Sequence, residues 1–219
     1  MLHRNNPLTT QSPLLNQLFY LYKTDKGRNG YSGIYECMFH DKRDKITSML
    51  EIGIGTMIPG MISSMVDFGL EGYKPGGSLR AWRDYFPNAN IYGFDIQSDT
   101  QFTEERIFTM QGDSRVSEDV DAKLSKYGLR SFDIIIDDGS HKANEQIITL
   151  QNFFKYLKPG GMYIIEDVGW GNSGNLSSVK DVVGDLPMFF LGPHNNIIVI
   201  ANPIINPSEL ERVRARQFF

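Results

Sequence analysis

The sequence of 219 residues predicts an α/β fold, a Rossmann-like and mostly parallel sheet with helices on both faces. Three observations predict it: short apolar runs alternate with segments of helical periodicity, the connections are short, and several apolar runs stop at an acid or a glycine. Such folds bind ligands at the carboxyl ends of their strands. The acids and glycines at the ends of these runs therefore predict a binding site along one edge of the sheet.

A short helical N-terminal segment, residues 1–45, precedes a predicted sheet domain of residues 46–219. In residues 12–23 the apolar side chains recur at helical spacing behind a serine and a proline, which commonly start helices. A second short helix is predicted around residues 33–40. The length suits one main hydrophobic core.

Strands and helices alternate through the predicted domain. Strands are expected at residues 47–52, 90–94, 106–110, 132–136, 161–165 and 197–200. Helices are expected at residues 78–85, 119–127 and 144–157. Ser78 is expected to cap the first of these helices, and Lys158-Pro159-Gly160 to terminate the last.

Composition and charge argue against several classes of protein. The formal net charge is −4 and no Lys/Arg block is interleaved with aromatic residues, so nucleic acid is not an expected partner. No apolar run approaches the roughly 18 residues of a membrane span, and the polar N-terminus does not resemble a signal peptide. The single cysteine, Cys37, excludes an internal disulfide. These features predict a cytoplasmic location.

A glycine-rich turn follows the first predicted strand, with Glu51 ahead of Gly53 and Gly55. Glycines let the backbone approach a ligand closely. A dinucleotide fingerprint would require a third glycine where Ile58 stands, which disfavours an NAD-dependent oxidoreductase. Asp95, at the end of the second strand, is placed to accept hydrogen bonds from ribose hydroxyls.

Two further segments border this predicted cofactor site. Asp113 and Ser114 follow the third strand, where the adenine edge of a nucleoside would lie. The glycine- and methionine-rich residues 56–77 form a long loop before the next helix. Long loops of this kind are often functional. We expect a mobile wall over cofactor or substrate, with a plain surface insertion as the alternative.

The sequence FDIIIDDGSH, residues 132–141, ends a buried strand in two acids. Because side chains alternate along a strand, Asp137 and Asp138 are expected on opposite sides, one toward the cofactor and one toward a substrate. If the next strand is a neighbour, its terminal Glu166 and Asp167 converge with Asp138 and repel it.

A divalent cation would remove that repulsion, and an all-oxygen ligand set suits Mg²⁺ or Mn²⁺ better than Zn²⁺. The alternative from spacing alone is that the acids cap helices or form ion pairs with Lys142 or Lys158. The residue pattern leaves both interpretations open.

Several motifs together resemble a known family: LEIGIG, PGGSLRAWRDYFPNANIYGFDI, GDS, FDIIIDDGSH and LKPGGMYIIEDV. They are similar to class I S-adenosylmethionine (SAM)-dependent methyltransferases. More narrowly, they resemble the metal-dependent sugar O-methyltransferases of macrolide biosynthesis and relatives that modify capsule sugars and rhamnose. The upstream YKTDKGRNGYSGIYECMF resembles the segment before the domain in that group. The resemblance implies SAM at residues 51–55 and at Ser78, Asp95 and Asp113, to which the residue pattern adds Ser114 and Asp137.

The resemblance also implies which residues bind the metal ion and which residue accepts the proton. Asp138, Glu166 and Asp167 would hold the divalent cation, and His141 would be the general base. SAM is already an activated methyl donor, so the protein must supply a deprotonated alcohol and its alignment. A bound cation lowers the pKa of a hydroxyl, and a neutral histidine can take the proton.

The expected function is therefore SAM- and metal-dependent O-methylation of a sugar hydroxyl. The acceptor is expected to be a nucleotide-linked or polysaccharide-pathway sugar, or a glycosylated natural product. A catechol or phenol acceptor is the main alternative. A non-catalytic scaffold is disfavoured, because it gains nothing from clustered acids. The apolar face of the N-terminal helix further suggests self-association.

Overall fold

The structure, a computed structural model, describes residues 14–61, 64–67, 69, 71–169, 175–192 and 196–202, without the side chains of residues 175–177. The serine and proline expected to start the first helix lie outside these residues. Within the described ranges, no helix is both long and apolar enough to cross a bilayer.

The described residues contain eight strands: β1 Ser48–Ile52, β2 Asn90–Asp95, β3 Thr103–Glu104, β4 Ile107–Gln111, β5 Phe132–Asp137, β6 Leu157–Ile165, β7 Met188–Leu191 and β8 Ile197–Ala201. They form one sheet in the order β3-β4-β2-β1-β5-β6-β8-β7. The central five strands, from β4 to β6 in that order, are parallel, while β3 and β8 run antiparallel to their neighbours. The predicted mostly parallel sheet is confirmed.

Helices cover both faces of the sheet, as predicted. Their bounds are α1 Leu14–Leu21, α2 Tyr31–Phe39, α3 Gly77–Tyr85, α4 Ser117–Lys126, α5 Ala143–Phe153 and α6 Asn175–Val183. One face of β5, through Ile134 and Ile136, belongs to a core shared with α1, α2 and α3. The opposite face, through Ile135, belongs to a second core with α4, α5 and α6. The alternation of side chains along a strand builds these two cores.

The N-terminal helices α1 and α2 are part of the first core. Leu15 and Phe19 of α1 and Tyr35 of α2 are fully buried. The Trp82 ring of α3 makes edge contacts with Phe19 and with Tyr35, each with centroids 5.1 Å apart. Aromatic packing of this kind fixes α1 and α2 against the sheet. The apolar face of α1 is thus covered within the chain.

Two local predictions were wrong. Ser78 does not cap α3, because the helix begins at Gly77 and its N-cap is Gly76, whose φ of +81° favours glycine. A Cβ at Gly76 would also overlap the ring of Phe102. Ser78 lies instead in the first turn of α3 and is buried.

The residues expected to end the last helix belong to β6. Helix α5 ends at Phe153, a 3₁₀ helix spans Phe154–Tyr156, and β6 starts at Leu157. The pairing of β5 with β6 shifts register near this start. This shift coincides with Pro159 and the left-handed Gly160, residue types that interrupt a regular strand. The sequence prediction also missed β3, β7 and α6.

Candidate active site

The turn after β1 packs directly on the end of β5. Gly53 has a φ of +89°, and a Cβ there would overlap the carbonyl oxygen of Asp138. Gly55 follows with a φ of +85°. Between them, the Ile54 N–H donates to Asp95 Oδ2 at 2.7 Å. Gly53 and the Ile54 hydrogen bond therefore bring the ends of β1, β2 and β5 into close contact, while Gly55 packs against Tyr73 and Met65 of the following loop.

A cleft opens at the carboxyl edge of the strands. Its lining includes Ile52, Gly53, Thr56, Met61, Phe94, Asp95, Ile96, Gln97, Gly112, Asp113, Ser114, Arg115, Gly139, Ser140, Lys142 and Glu145. Four of the predicted cofactor residues line the cleft, namely Gly53, Asp95, Asp113 and Ser114. The other four, Glu51, Gly55, Ser78 and Asp137, are not among its lining residues. The cleft has the position that the sequence predicts for a nucleoside ligand.

The two aspartates that line the cleft already have polar partners. Asp95 accepts hydrogen bonds from the backbone of Ile54 at 2.7 Å and of Gln97 at 2.8 Å. Burial raises the pKa of Asp95 despite these donors. The side chain of Arg115 contacts Asp113 at 2.7 Å and lowers the pKa of that carboxyl. Each carboxylate oxygen can accept more than one hydrogen bond, so these partners leave capacity for a ligand.

Asp137 and Asp138 occupy different surroundings. Asp137 is buried, which raises its pKa to about 7, and its Oδ2 meets no hydrogen-bond donor among the described residues. Asp138 is partly exposed and lies between Lys26 Nζ, 2.6 Å from Oδ2, and His141 Nε2, 3.0 Å from Oδ1. Burial would raise the pKa of Asp138, but the charges of Lys26 and His141 hold it at about 2. Asp138 is therefore ionised at neutral pH, whereas burial favours the protonated form of Asp137.

Asp138, His141 and Asp167 converge just beyond the carboxyl ends of β5 and β6, where their side chains are half-buried. The His141 Nε2 lies 3.0 Å from Asp138 Oδ1 and 3.6 Å from Asp167 Oδ2. One ligand atom from each of the three residues lies within 4.8 Å of the others. Burial would lower the pKa of His141, but Asp138, followed by Asp167 and Glu166, raises it to about 9.

Two members of this group have strained backbones. His141 has a φ of +56° and Asp167 a φ of +53°. Non-glycine residues seldom adopt the left-handed conformation, and the cost is about 1–3 kcal/mol for each residue. Such strain concentrates at functional sites, where surrounding contacts hold a side chain in a required orientation. The strain is therefore consistent with a functional role for these two side chains.

Glu166 is fully buried beside this group and faces the N-terminal helices. Its Oε2 accepts a hydrogen bond from Lys26 Nζ at 2.6 Å, and its Oε1 accepts one from the Tyr35 hydroxyl. Burial raises the pKa of Glu166 against the opposing charge of Lys26. The predicted ligands Asp138, Glu166 and Asp167 thus lie at one edge, with the Glu166 carboxylate turned toward Lys26. Their assignment as a metal-binding set remains a prediction.

Several site residues were missed by the sequence prediction. They are Lys26, Tyr31, Tyr35 and Asn196. The Tyr31 hydroxyl donates to Asp167 Oδ1 and accepts from Asn196 Nδ2 at 2.6 Å. Three of the four come from the segment YKTDKGRNGYSGIYECMF, in which the sequence pattern assigns no role to an individual residue.

The lysines considered in the sequence prediction pair elsewhere. Lys158 contacts Asp133 at 3.0 Å, and Lys142 contacts Glu145 at 3.2 Å. The acids at the site instead share Lys26, which is far away in the sequence. The expectation of an ion pair was right in kind, but it assigned the wrong lysines.

The donor set fits a divalent cation. Carboxylates at the ends of β5 and β6 and an imidazole converge where one side remains partly open. Oxygen-rich groups with room for water suit Mg²⁺ and Mn²⁺. The left-handed glycines and the cleft fit a nucleoside-containing cofactor. The residues present are thus compatible with both groups that the sequence motifs imply.

Comparison with known proteins confirms the resemblance to sugar O-methyltransferases. No protein-family model matches the chain. Mycinamicin VI 2''-O-methyltransferase of Micromonospora griseorubida is 36% identical over 184 residues, covering 80% of this chain and 42% of that enzyme. Demethylmacrocin O-methyltransferase of Streptomyces fradiae is 35% identical over 167 residues, covering 73% of this chain and 38% of that enzyme. The chain spans less than half the length of these relatives.

A solved structure shows the same fold. The MycE methyltransferase from the mycinamycin biosynthetic pathway, in complex with Mg, SAH and mycinamycin VI, superposes with a TM-score of 0.67 and 28% sequence identity. The match covers 88% of this chain and 55% of that chain. The Rossmann-like methyltransferase fold is therefore established for this sequence.

Proposed function

We propose that this chain, related in sequence and fold to sugar O-methyltransferases, transfers the methyl group of SAM to a sugar hydroxyl in a reaction that requires a divalent cation. The observation that carries the proposal is the convergence of Asp138, His141 and Asp167 beside the cofactor cleft. The turn from Asp138 to His141 joins the two, because its middle residues Gly139 and Ser140 line the cleft. A proton acceptor on this turn would lie next to a bound methyl donor.

The cofactor would be held by the residues that line or support the cleft. Asp95 is proposed to accept hydrogen bonds from the ribose, and Asp113 and Ser114 to border the adenine. Glu51, which is buried at the end of β1, is proposed to accept a hydrogen bond from the amino group of SAM. Gly53 and Gly55 admit the ligand, while Ser78 and Asp137 support the site from buried positions.

The cation would be held by Asp138, Glu166 and Asp167. A divalent cation bound there would lower the pKa of a coordinated hydroxyl and neutralise the surrounding carboxylates. His141, which Asp138 and Asp167 flank, is proposed to take the hydroxyl proton. The methyl carbon then forms a bond to the sugar oxygen as its bond to sulfur breaks, and the products are the methyl ether and S-adenosylhomocysteine (SAH).

His141 can act as a general base only when its imidazole is neutral. With three carboxylates nearby, its pKa of about 9 leaves the imidazole protonated at neutral pH. A protonated imidazole cannot accept a proton, so the negative charge around it must be offset before His141 can act as a base. The proposed dependence on a divalent cation itself rests on the cluster of acids at this edge.

The acceptor is proposed to be a sugar of a glycosylated natural product, or a nucleotide-linked or polysaccharide-pathway sugar. The names of the two relatives favour the natural product, since one is named for mycinamicin VI and the other for demethylmacrocin. A catechol or phenol would be the alternative acceptor, and inhibition by simple catechols would favour it.

Three further proposals concern organisation. The chain is proposed to comprise an N-terminal segment, residues 1–45, and a SAM-binding domain, residues 46–219, and to act in the cytoplasm without a nucleic-acid or membrane partner.

Self-association also remains a prediction. Leu15 and Phe19 of α1 are buried within the chain, so this face does not itself require a second copy. Gel filtration would distinguish the monomer from an oligomer.

Calorimetric titration with SAH tests the cofactor without knowledge of the acceptor. Micromolar binding is expected, and no binding by folded protein would contradict the proposal. A panel of macrolide glycosides and nucleotide-linked sugars, assayed with SAM in the presence of Mg²⁺ or EDTA, then tests the reaction. Methyl transfer that persists after thorough chelation would contradict the role of the cation.

A further inference from the structure

A buried ammonium group lies between the ends of three strands. Lys26, in the 3₁₀ helix Asp25–Gly27, is 2% exposed. Its Nζ lies 2.6 Å from Asp138 Oδ2, 2.6 Å from Glu166 Oε2 and 3.2 Å from Glu51 Oε1. These acids stand at the carboxyl ends of β5, β6 and β1. One side chain from the N-terminal segment therefore links the proposed cofactor site to the proposed metal site.

The ammonium divides the carboxylate oxygens into two sets. Lys26 Nζ donates a hydrogen bond to Oδ2 of Asp138, whereas Oδ1 of the same carboxylate faces His141 Nε2 at 3.0 Å. On Glu166, Lys26 takes Oε2, and the Tyr35 hydroxyl donates to Oε1. The Asp138 carboxylate thus contacts the Lys26 ammonium through one oxygen and the half-buried His141 through the other. Both oxygens of Glu166 accept hydrogen bonds from buried groups, the Lys26 ammonium and the Tyr35 hydroxyl.

A buried lysine is costly unless its charge is compensated, and here three acids compensate it. The same acids would compensate a divalent cation. Two cations that share the Asp138 carboxylate must lie close together in a buried site, where their repulsion is weakly screened. Lys26 and a divalent cation are therefore expected to compete for the negative charge of Asp138 and Glu166.

We propose that Lys26 is a positioning residue that orients Asp138 and Glu166 and limits the affinity of the site for a divalent cation. The proposal rests on the proposed function, because it presumes that these acids bind the metal. Removal of the ammonium leaves acids whose negative charge must be relieved by protonation or by an added cation. Divalent-cation binding should therefore tighten when Lys26 is replaced by a neutral residue.

Binding of Mn²⁺ to the purified, chelator-treated protein tests this inference, with free Mn²⁺ measured by electron paramagnetic resonance. Lys26→Met removes the ammonium and keeps most of the side-chain volume, and Lys26→Gln keeps a hydrogen-bond donor without the charge. Lys158→Met is the matched control, because it removes an ion-paired lysine from Asp133 at the opposite end of β5. Both Lys26 variants should bind Mn²⁺ at least tenfold more tightly than the wild type, and the control within about threefold of it.

The direction of the change separates this role from a merely structural one, since general loosening of the fold would weaken metal binding. Equal or weaker Mn²⁺ binding by folded Lys26 variants would overturn the inference while leaving the proposed function intact. Absence of Mn²⁺ binding in the wild type and in both variants would instead overturn the proposed metal site and the inference with it. A Lys26 variant that folds only with added Mn²⁺ would support the inference, and failure of Mn²⁺ to restore folding would count against it.

Discussion

The imidazole of His141 and the carboxylate of Asp138 are in direct contact, with 3.0 Å between Nε2 and Oδ1. The two residues stand at the ends of one four-residue turn after β5, and His141 adopts a left-handed conformation that turns its ring back toward the acid. The contact raises the pKa of the histidine and lowers that of the acid. The contact thus favours the charged form of both groups, and Lys26 adds to this effect on Asp138.

In chelator-treated protein, His141 should titrate near pH 9. Because this folded pKa exceeds the ordinary 6.5, the charged histidine stabilises the fold fully below pH 6.5, and that stabilisation is lost as the pH rises through about 9. Asp138→Asn should lower the pKa of His141. The pH dependence of the imidazole NMR signals measures both values, with His141→Gln used to assign the resonance. A wild-type His141 that titrates at or below pH 6.5 would contradict the geometry.

His141→Ala should reduce turnover by about 10²–10⁴-fold, the usual effect of losing a general base. Its affinity for SAH should stay near that of the wild type, because His141 is not among the residues that line the cleft. His40→Ala is the control, since His40 is exposed and pairs with Glu36 at the surface. Steady-state kinetics and calorimetry separate the two effects. Unchanged turnover in His141→Ala would remove the base assignment.

Gly53→Ala should destabilise the fold and weaken SAH binding. Position 53 combines a left-handed φ with contact against the Asp138 carbonyl, so an added methyl must displace the end of β5. Gly60→Ala is the matched control, because Gly60 has a φ of +76° and nothing within 4 Å of the added methyl. The control should cost about 1–3 kcal/mol from backbone strain alone. Gly53→Ala should lose about 1–3 kcal/mol more from overpacking. Equal losses in urea unfolding would show that the close approach is unimportant.

Much of the sheet could be predicted because its strands are apolar runs with polar ends. The central strands are buried on both faces, so β1 and β5 are short runs of mainly apolar residues rather than an alternation of apolar and polar residues. The edge elements carried weaker signals. Strand β3 has only two residues, and β6 contains a proline and a glycine near its start that favour a turn in the sequence. The pairing of β6 with β5 shifts register near this start, and no local pattern specifies such a shift.

The acids of the site could be predicted from strand topology, whereas Lys26 could not. Asp138 and Glu166 end neighbouring strands, so sheet pairing alone brings them together. Lys26 reaches them from 112 and 140 residues away in the sequence. It lies in a polar loop sequence, where a lysine is ordinarily exposed. Its burial depends on how α1 and α2 pack on the sheet, which is a tertiary property without a local signature.

Tyr35→Phe should destabilise the protein by about 1–3 kcal/mol, because it removes a hydroxyl donor from a buried carboxylate. The affected acceptor is Glu166 Oε1. Tyr163→Phe is the control, since its buried hydroxyl has no hydrogen-bond partner among the described residues. Its stability should be unchanged or higher. Thermal and urea unfolding of both variants measure the difference, and similar stabilities would mean that the Tyr35 hydroxyl contributes little.

Asp133 ties the start of β1 to β5 at the end of the sheet opposite the site. Its Oδ2 accepts hydrogen bonds from the Thr47 N–H at 2.9 Å and the Ser48 N–H at 3.0 Å, and Lys158 contacts Oδ1 at 3.0 Å. Burial would raise the pKa of this carboxyl, but these donors, led by the Thr47 N–H, lower it from the ordinary 3.8.

Since the folded pKa of Asp133 is depressed, its ionised form adds stability that is fully present well above pH 3.8 and is lost as the pH falls through the folded pKa. Asp133→Asn should therefore be less stable than the wild type at pH 7, and the difference should shrink by pH 3. Asp121→Asn is the control, because Asp121 forms an exposed pair with Lys155 and such pairs contribute little. Urea unfolding at both pH values measures the differences. A stability gap between Asp133→Asn and the wild type that stays constant from pH 7 to pH 3 would show that ionisation of Asp133 does not provide the stabilisation.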